Sequence, residues 1–260
     1  MNIPFFQIDA FAAEVFSGNP AAVCPLEEWL DEKTMQLIAR ENNLSETAFF
    51  VPQGEGFHIR WFTPVCEVDL CGHATLATAH VIFTELEPSR SEISFASKSG
   101  PLGVKRSGDM LSLDFPSQPP VPCDPPAEIL AGLGTRPSEI LKGPDYFAVY
   151  DHEEEIREMR PRMDVLKKLD LRGVIVTAPG VSSDFVSRFF APSLGIDEDP
   201  VTGSAHCALT PYWSKRLGKN RLHAFQLSER GGELFCAQEA GRVIISGRAV
   251  KYLKGTITLD

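Results

Sequence analysis

The chain has 260 residues, 43% of them apolar and 23% charged, with a formal net charge of −10. That composition excludes disorder, fibrous repeats and low complexity. An acidic chain with scattered Lys and Arg also excludes the basic patches that nucleic-acid binding requires. No apolar run approaches the ~18 residues that span a bilayer. The start at Met1, Asn2, Ile3 and Pro4 has neither the basic segment nor the apolar stretch of a signal peptide, so a cytoplasmic protein without a membrane partner is expected. The six cysteines are too sparse for a disulfide scaffold, and neither they nor the six histidines show metal-ligand spacing.

Taken in chain order, aromatic-rich or alternating segments predict strands at 5–11, 21–24, 47–51, 58–62, 92–96, 103–106 and 110–115. Two helices interrupt them. One covers 31–41, with Met35, Leu37 and Ile38 on one face. The other covers 73–86 and is apolar nearly all round, which marks a buried helix. The proline-rich tract 116–126 reads as a linker. Beyond it the pattern predicts a helix at 127–133, a strand at 147–150, a polar helix at 163–169, strands at 174–178 and 185–190, and a second buried helix at 203–217, bent at Pro211. Strands at 222–227, 234–237, 242–246 and 255–259 complete the chain. Two lobes are expected, 1–115 and 116–260, with the last strand free to return to the first lobe.

A motif written twice explains that division. Arg60-Trp61-Phe62-Thr63-Pro64 leads into Glu67-Val68-Asp69-Leu70-Cys71-Gly72-His73-Ala74, and Arg188-Phe189-Phe190-Ala191-Pro192 leads into Glu198-Asp199-Pro200-Val201-Thr202-Gly203-Ser204-Ala205. The offset is 128 residues at the first block (188 minus 60) and 131 at the second (203 minus 72), so a three-residue insertion separates two copies. In each, a small turn stands where an extended segment gives way to a buried helix. Backbone N–H groups at two helix starts make a place to hold an anion, each contributing ~0.3–1 kcal/mol. Close helix packing would account for either glycine alone; it does not account for polar His73 and Ser204 at the same register.

Two acidic positions complete the candidates. Glu46 opens an apolar strand, where it is either a solvated residue or a carboxylate against apolar walls suited to general acid/base work. Asp199, in Glu198-Asp199-Pro200, either caps the following helix or accepts a hydrogen bond from a ligand; the two roles are compatible.

Four blocks together resemble the phenazine biosynthesis protein F family: Asp9-Ala10-Phe11 with Ser17-Gly18-Asn19-Pro20-Ala21-Ala22-Val23, then Asn43-Leu44-Ser45-Glu46-Thr47-Ala48-Phe49, then Phe62-Thr63-Pro64 with Cys71-Gly72-His73-Ala74-Thr75-Leu76-Ala77, and finally residues 198–205. The resemblance runs in order over nearly the whole chain. It implies an α+β, diaminopimelate-epimerase-like fold of two pseudo-symmetric lobes, each a curved sheet or barrel around a central apolar helix, with the active site between them. It further implies a cofactor-free, metal-free isomerase that moves a proton between carbons of a dihydro-hydroxyanthranilate-like, small-molecule carboxylate, and a homodimer. By the same resemblance Glu46 matches the acid/base, His73, Asp199 and Ser204 match other polar positions, and Gly72 and Gly203 match backbone donors.

Related epimerases of that fold use two cysteines, one at each helix start. Here the pair is Cys71 and Thr202, and a threonine hydroxyl without an adjacent base is a poor carbon base. Isomerisation through one carboxylate is therefore expected over amino-acid epimerisation or racemisation, with Cys71 and Thr202 left beside the substrate. A non-catalytic small-molecule or protein-binding module on the same fold is the alternative from another class.

Overall fold

Phe6, Ile8 and Ala10 fall on one buried face of β1 (Asn2–Ala10), while Ile3, of the opposite parity, packs in a separate cluster with Met35 and Ile38. The computed structural model describes residues 1–259. Within them the chain forms two units, Met1–Asp114 together with the stretch from Ser246 onward, and Phe115–Ile245.

In the first unit β1 is followed by β2 (Asn19–Pro25), α1 (Glu32–Asn42), β3 (Glu46–Gln53), β4 (Gly56–Phe62), β5 (Glu67–Val68), α2 (Gly72–Val81), β6 (Glu92–Ala96), β7 (Leu102–Ser107) and β8 (Met110–Pro116). Pairing alternates in direction: β1 with β2 antiparallel, β2 with β3 parallel, β3 with β4 antiparallel, β4 with β6 parallel, and β6 with β7 antiparallel. Helix α2 packs against β1, β2 and β3. Eight of its ten residues are buried, as its all-apolar pattern requires. It is shorter than the expected 73–86, because Ile82–Leu86 widens into a π-turn closed by Glu87 N–H to Ile82 O at 2.7 Å. Helix α1 buries Met35, Ile38 and Ala39, whereas Leu37 is exposed, so the expected apolar face is narrower by one residue.

The second unit comprises β9 (Val121–Pro122), α3 (Ala127–Leu133), β10 (Glu139–Lys142), β11 (Tyr146–Val149), α4 (Glu153–Glu158), α5 (Met163–Leu166), β12 (Val174–Pro179), β13 (Phe185–Phe190), α6 (Gly203–Leu217), β14 (Arg221–Gln226), β15 (Gly232–Glu239) and β16 (Arg242–Gly247). From β10 to β15 the pairings read antiparallel, parallel, antiparallel, parallel, antiparallel, the order found from β1 to β7. The repeat is thus one of topology as well as sequence. Strand β10 and helix α4 are additions to the sequence reading; both are short, below the length at which periodicity speaks.

Helix α6 runs through Pro211. The carbonyl that Pro211 leaves without an N–H partner, Cys207 O, accepts from Gln118 N–H at 2.9 Å. The proline-rich tract is therefore more than a linker, since it satisfies the helix it precedes and pairs β9 with β10. The last strand, β17 (Ala249–Thr258), lies with the first unit, antiparallel to β1 from Asn2↔Thr258 to Ala10↔Ala249. It satisfies backbone groups that β1 would otherwise expose along its length.

Candidate active site

Each half of the repeated motif carries a partly buried ion pair. Arg60 donates from Nε and Nη2 to the two carboxylate oxygens of Glu67 at 2.7 and 2.8 Å, and Arg188 does the same to Glu198 at 2.7 and 2.9 Å. Each guanidinium also lies over an aromatic ring, Phe62 or Phe190. These clamps hold the extended segments that deliver the chain to α2 and α6. Neither Cys71 nor Thr202, the residues before those helices, makes a side-chain cap, so both first turns keep amide donors that no N-cap side chain takes up. Both N-cap carbonyls are held by the side chain four residues on: Thr75 Oγ1 donates to Cys71 O at 2.5 Å, and His206 Nδ1 to Thr202 O at 2.8 Å.

In the first unit the structure brings Glu46, Cys71 and His73 together. Helix α1 ends with Asn43 in the left-handed region, and the chain turns directly into β3, whose first residue is Glu46 beside Ala21 of β2. Asn19 opens β2 after Gly18, where φ is +66° and a Cβ would lie 2.2 Å from Ala10 O, so only glycine turns the chain there. Asn19 is fully buried; its Oδ1 accepts from Ser45 Oγ at 3.1 Å, and its Nδ2 faces His73 Nδ1 at 3.2 Å. Because an amide nitrogen only donates, the neutral His73 ring accepts at Nδ1 and carries its hydrogen on Nε2. That Nε2 lies 3.1 Å from Glu46 Oε2. The contact is not aligned as a hydrogen bond, and both buried atoms lack a partner among the described residues. A buried carboxylate oxygen and ring N–H left without a hydrogen bond in one place mark a candidate ligand site.

Burial opposes charge on His73, yet the sulfur of Cys71 and the Glu46 carboxylate outweigh it and hold the imidazole well above its usual 6.5. Burial first, and the Glu46 charge second, push the Cys71 thiol up to about 11. Cys71 therefore stays protonated near neutrality. On charging, Nδ1 gains a hydrogen and turns from accepting Asn19 to donating toward Cys71 Sγ, 3.5 Å away.

Glu46, Cys71 and His73 place one donor atom each within 4.8 Å of one another. The carboxylate meets Nε2 while the thiol meets Nδ1, so the three lone pairs do not converge on one point, and the thiol is held protonated. The cluster suits proton movement better than a metal ion.

The second unit's helix start is built from other groups. Asp199 Oδ2 accepts from Thr202 Oγ1 at 2.5 Å, and Gln226 accepts from Thr202 N–H at 2.9 Å while donating to Asp199 O at 2.8 Å. Thr202 is thereby tied behind Asp199, both its hydroxyl and its N–H used by the protein. Ser204 Oγ accepts from Arg172 Nη2 at 3.1 Å, and Arg172 is gripped by Asp145. Asp199 thus meets the N-cap side chain, and its neighbour Glu198 belongs to the Arg188 clamp. Asn19, Ser45, Arg172, Asp145 and Gln226 were missed as site residues. Asn19 and Ser45 stand inside the quoted blocks, whereas nothing local in sequence marks Arg172, Asp145 or Gln226.

A family model described as phenazine biosynthesis-like protein matches residues 8–255. The chain is 52% identical to an uncharacterized isomerase of Pseudomonas aeruginosa, with all of both chains covered. It is also 52% identical to a crystal structure of a phenazine biosynthesis protein PhzF family member from Enterococcus faecalis, at a TM-score of 0.97 with both chains covered in full. A predicted epimerase from Pseudomonas aeruginosa, 21% identical over 99% of this chain and all of its own at a TM-score of 0.76, shares the fold.

Proposed function

Since the chain is an isomerase of the phenazine biosynthesis-like protein family, we propose that Glu46 moves a proton between two carbons of a small carboxylated metabolite resembling a dihydro-hydroxyanthranilate. The observation that carries this reading is the Glu46–His73 contact, two buried polar atoms 3.1 Å apart with no other partner. Glu46 takes the proton from one carbon, the electron pair shifts through the adjacent unsaturation, and the same carboxyl returns the proton at the new position. His73, charged beside Glu46, stabilises negative charge as it develops, as do the amides around Gly72 at the start of α2.

In the second unit Asp199 is the proposed partner for a substrate hydroxyl or amine, and Gly203 and Ser204 are the proposed donors to an anionic group. Cys71, beside His73, and Thr202, beside Asp199, move no protons in this reading. Cys71 is held as a thiol, and Thr202 spends its hydroxyl on Asp199, so a two-base inversion finds no pair of bases. In this reading the reaction is an isomerisation in which the protein's own carboxylate carries the proton.

Mass spectrometry of products formed in heavy water tests the proposal, with wild type and Glu46→Gln compared on dihydro-hydroxyanthranilate, small cyclic amino acids and diaminopimelate. A Glu46-dependent isomerised product supports it. Full activity in Glu46→Gln, or inversion of an amino acid without isomerisation, overturns it.

A further inference from the structure

Arg172 is held on several sides. Its Nε and Nη2 donate to the two oxygens of Asp145 at 2.9 and 2.5 Å, and its guanidinium carbon lies 5.5 Å from the centre of the Phe189 ring. The backbone is pinned as well: Ser193 Oγ donates to Arg172 O at 2.9 Å, and Tyr146 N–H to Gly173 O at 2.9 Å. At Gly173 a Cβ would fall 2.5 Å from Phe190 O and 2.8 Å from the Phe189 ring, so only glycine lets this turn lie so close to β13. Asp145 is 3% exposed and stands one residue before β11, whose parallel pairing Tyr146↔Val174 aligns it with the Arg172 turn. A planar fork gripped by a buried carboxylate and laid on a ring has little freedom.

The second hydrogen of Nη2 goes to Ser204 Oγ at 3.1 Å. An arginine only donates, so Ser204 is an acceptor in that bond, and its single hydroxyl hydrogen must point elsewhere. The hydroxyl is thus set as a donor, at the first turn of α6, where no N-cap side chain takes up the amides.

We propose that Arg172, anchored by Asp145, is a positioning residue that orients the Ser204 hydroxyl to donate to the anionic group of the substrate. This deepens, and rests on, the reading of Ser204 as a substrate-anion contact. Without Arg172 the hydroxyl can accept as well as donate and rotates freely, so the unit no longer distinguishes a carboxylate from an uncharged amide of the same shape.

Isothermal titration of the full-length chain tests this with anthranilate and its uncharged counterpart 2-aminobenzamide. The proteins are wild type, Arg172→Gln, Ser204→Ala and the double variant. Wild type is expected to bind the carboxylate more tightly than the amide. Either single change is expected to weaken carboxylate binding roughly tenfold, the scale of one hydrogen bond to a charged group, with the amide changed less than about twofold. The double variant should match Ser204→Ala within about twofold, because Arg172 acts only through that hydroxyl. Losses that multiply in the double variant, equal losses for both ligands, or no carboxylate preference in wild type each overturn the assignment.

Should Arg172→Gln fail to fold, Asp145→Asn replaces it in the same cycle. It keeps the guanidinium but loosens its hold, and equal effects with and without Ser204 again overturn the assignment. Binding is read without turnover, so the outcome does not depend on whether Glu46 moves the proton.

Discussion

The helix starts at Cys71-Gly72-His73 and Thr202-Gly203-Ser204 share a scaffold and differ in chemistry. Both are delivered by a bidentate Arg–Glu clamp under a ring, and both have the N-cap carbonyl held from four residues on. At the first, His73 faces a carboxylate across an unsatisfied 3.1 Å contact beside a protonated thiol. At the second, Ser204 and Thr202 are engaged by fixed partners. The frame is shared, and under the proposed function proton movement falls to the first helix start and polar recognition to the second.

The largest expected effect breaks that asymmetry outright. Glu46→Gln keeps the shape and removes the base, and turnover should fall ~10²–10⁴-fold, the contribution of one general acid/base. Asp199→Asn should cost less in kcat and more in KM. Steady-state kinetics on the isomerised substrate separates the two, and equal kcat losses would contradict the division of labour.

The next effect concerns the shared frame. Arg188→Met should destabilise by about 3 kcal/mol or more, because Glu198 loses its partner and the carbonyls of Ile156 and Met159, which Arg188 also serves at 3.0 and 2.9 Å, lose theirs. Arg60→Met should cost less, about 1–2 kcal/mol, since Lys98 still reaches Glu67. Urea unfolding of the two variants checks the order, and a reversed order would mean that the clamps are not equivalent in kind.

A smaller difference lies in what holds the N-cap carbonyls, threonine in one unit and histidine in the other. Burial lowers His206 to about 4, and burial followed by the Lys251 charge does the same for His80. Both folded values lie below the usual 6.5, so between pH 6.5 and 4 the unfolded chain binds more protons and stability falls as pH falls. Between pH 7 and 5 each histidine should cost on the order of 1–2 kcal/mol. His206→Asn should flatten part of that decline and leave the His80 part, whereas Thr75→Val should lower stability equally at both pH values. Chemical denaturation at pH 7 and pH 5 is the measurement.

The smallest expected effect is at Cys71. Because its thiol sits near 11, Cys71→Ala should keep activity within about threefold and leave the pH profile unshifted on its alkaline side. A large loss would restore Cys71 as a proton carrier.

Much of this was legible in the residues. The repeat, the buried helices and the grouping of Glu46 with His73 followed from register and from the family blocks, because a motif carries its neighbours with it. The boundaries that moved did so where backbone geometry overrides pattern, as in the π-turn that ends α2 at Val81. The pairing of Glu198 with Arg188, ten residues earlier, was not read, because it forms across a turn whose shape composition does not encode. Gln226 and the Arg172–Asp145 pair left no local signal, since their neighbours are set by strand pairing over 24 to 27 residues.

The sequence by itself determined a two-copy α+β pattern and the side chains at each helix start, since periodicity and spacing are local properties of the polymer, and its motif blocks carried the resemblance to the family. Only the tertiary structure decided which of those groups hold charge and which are spent on one another. Burial, a shared carboxylate and the direction of a single hydroxyl hydrogen arise only when segments distant in the chain pack to hydrogen-bonding distance.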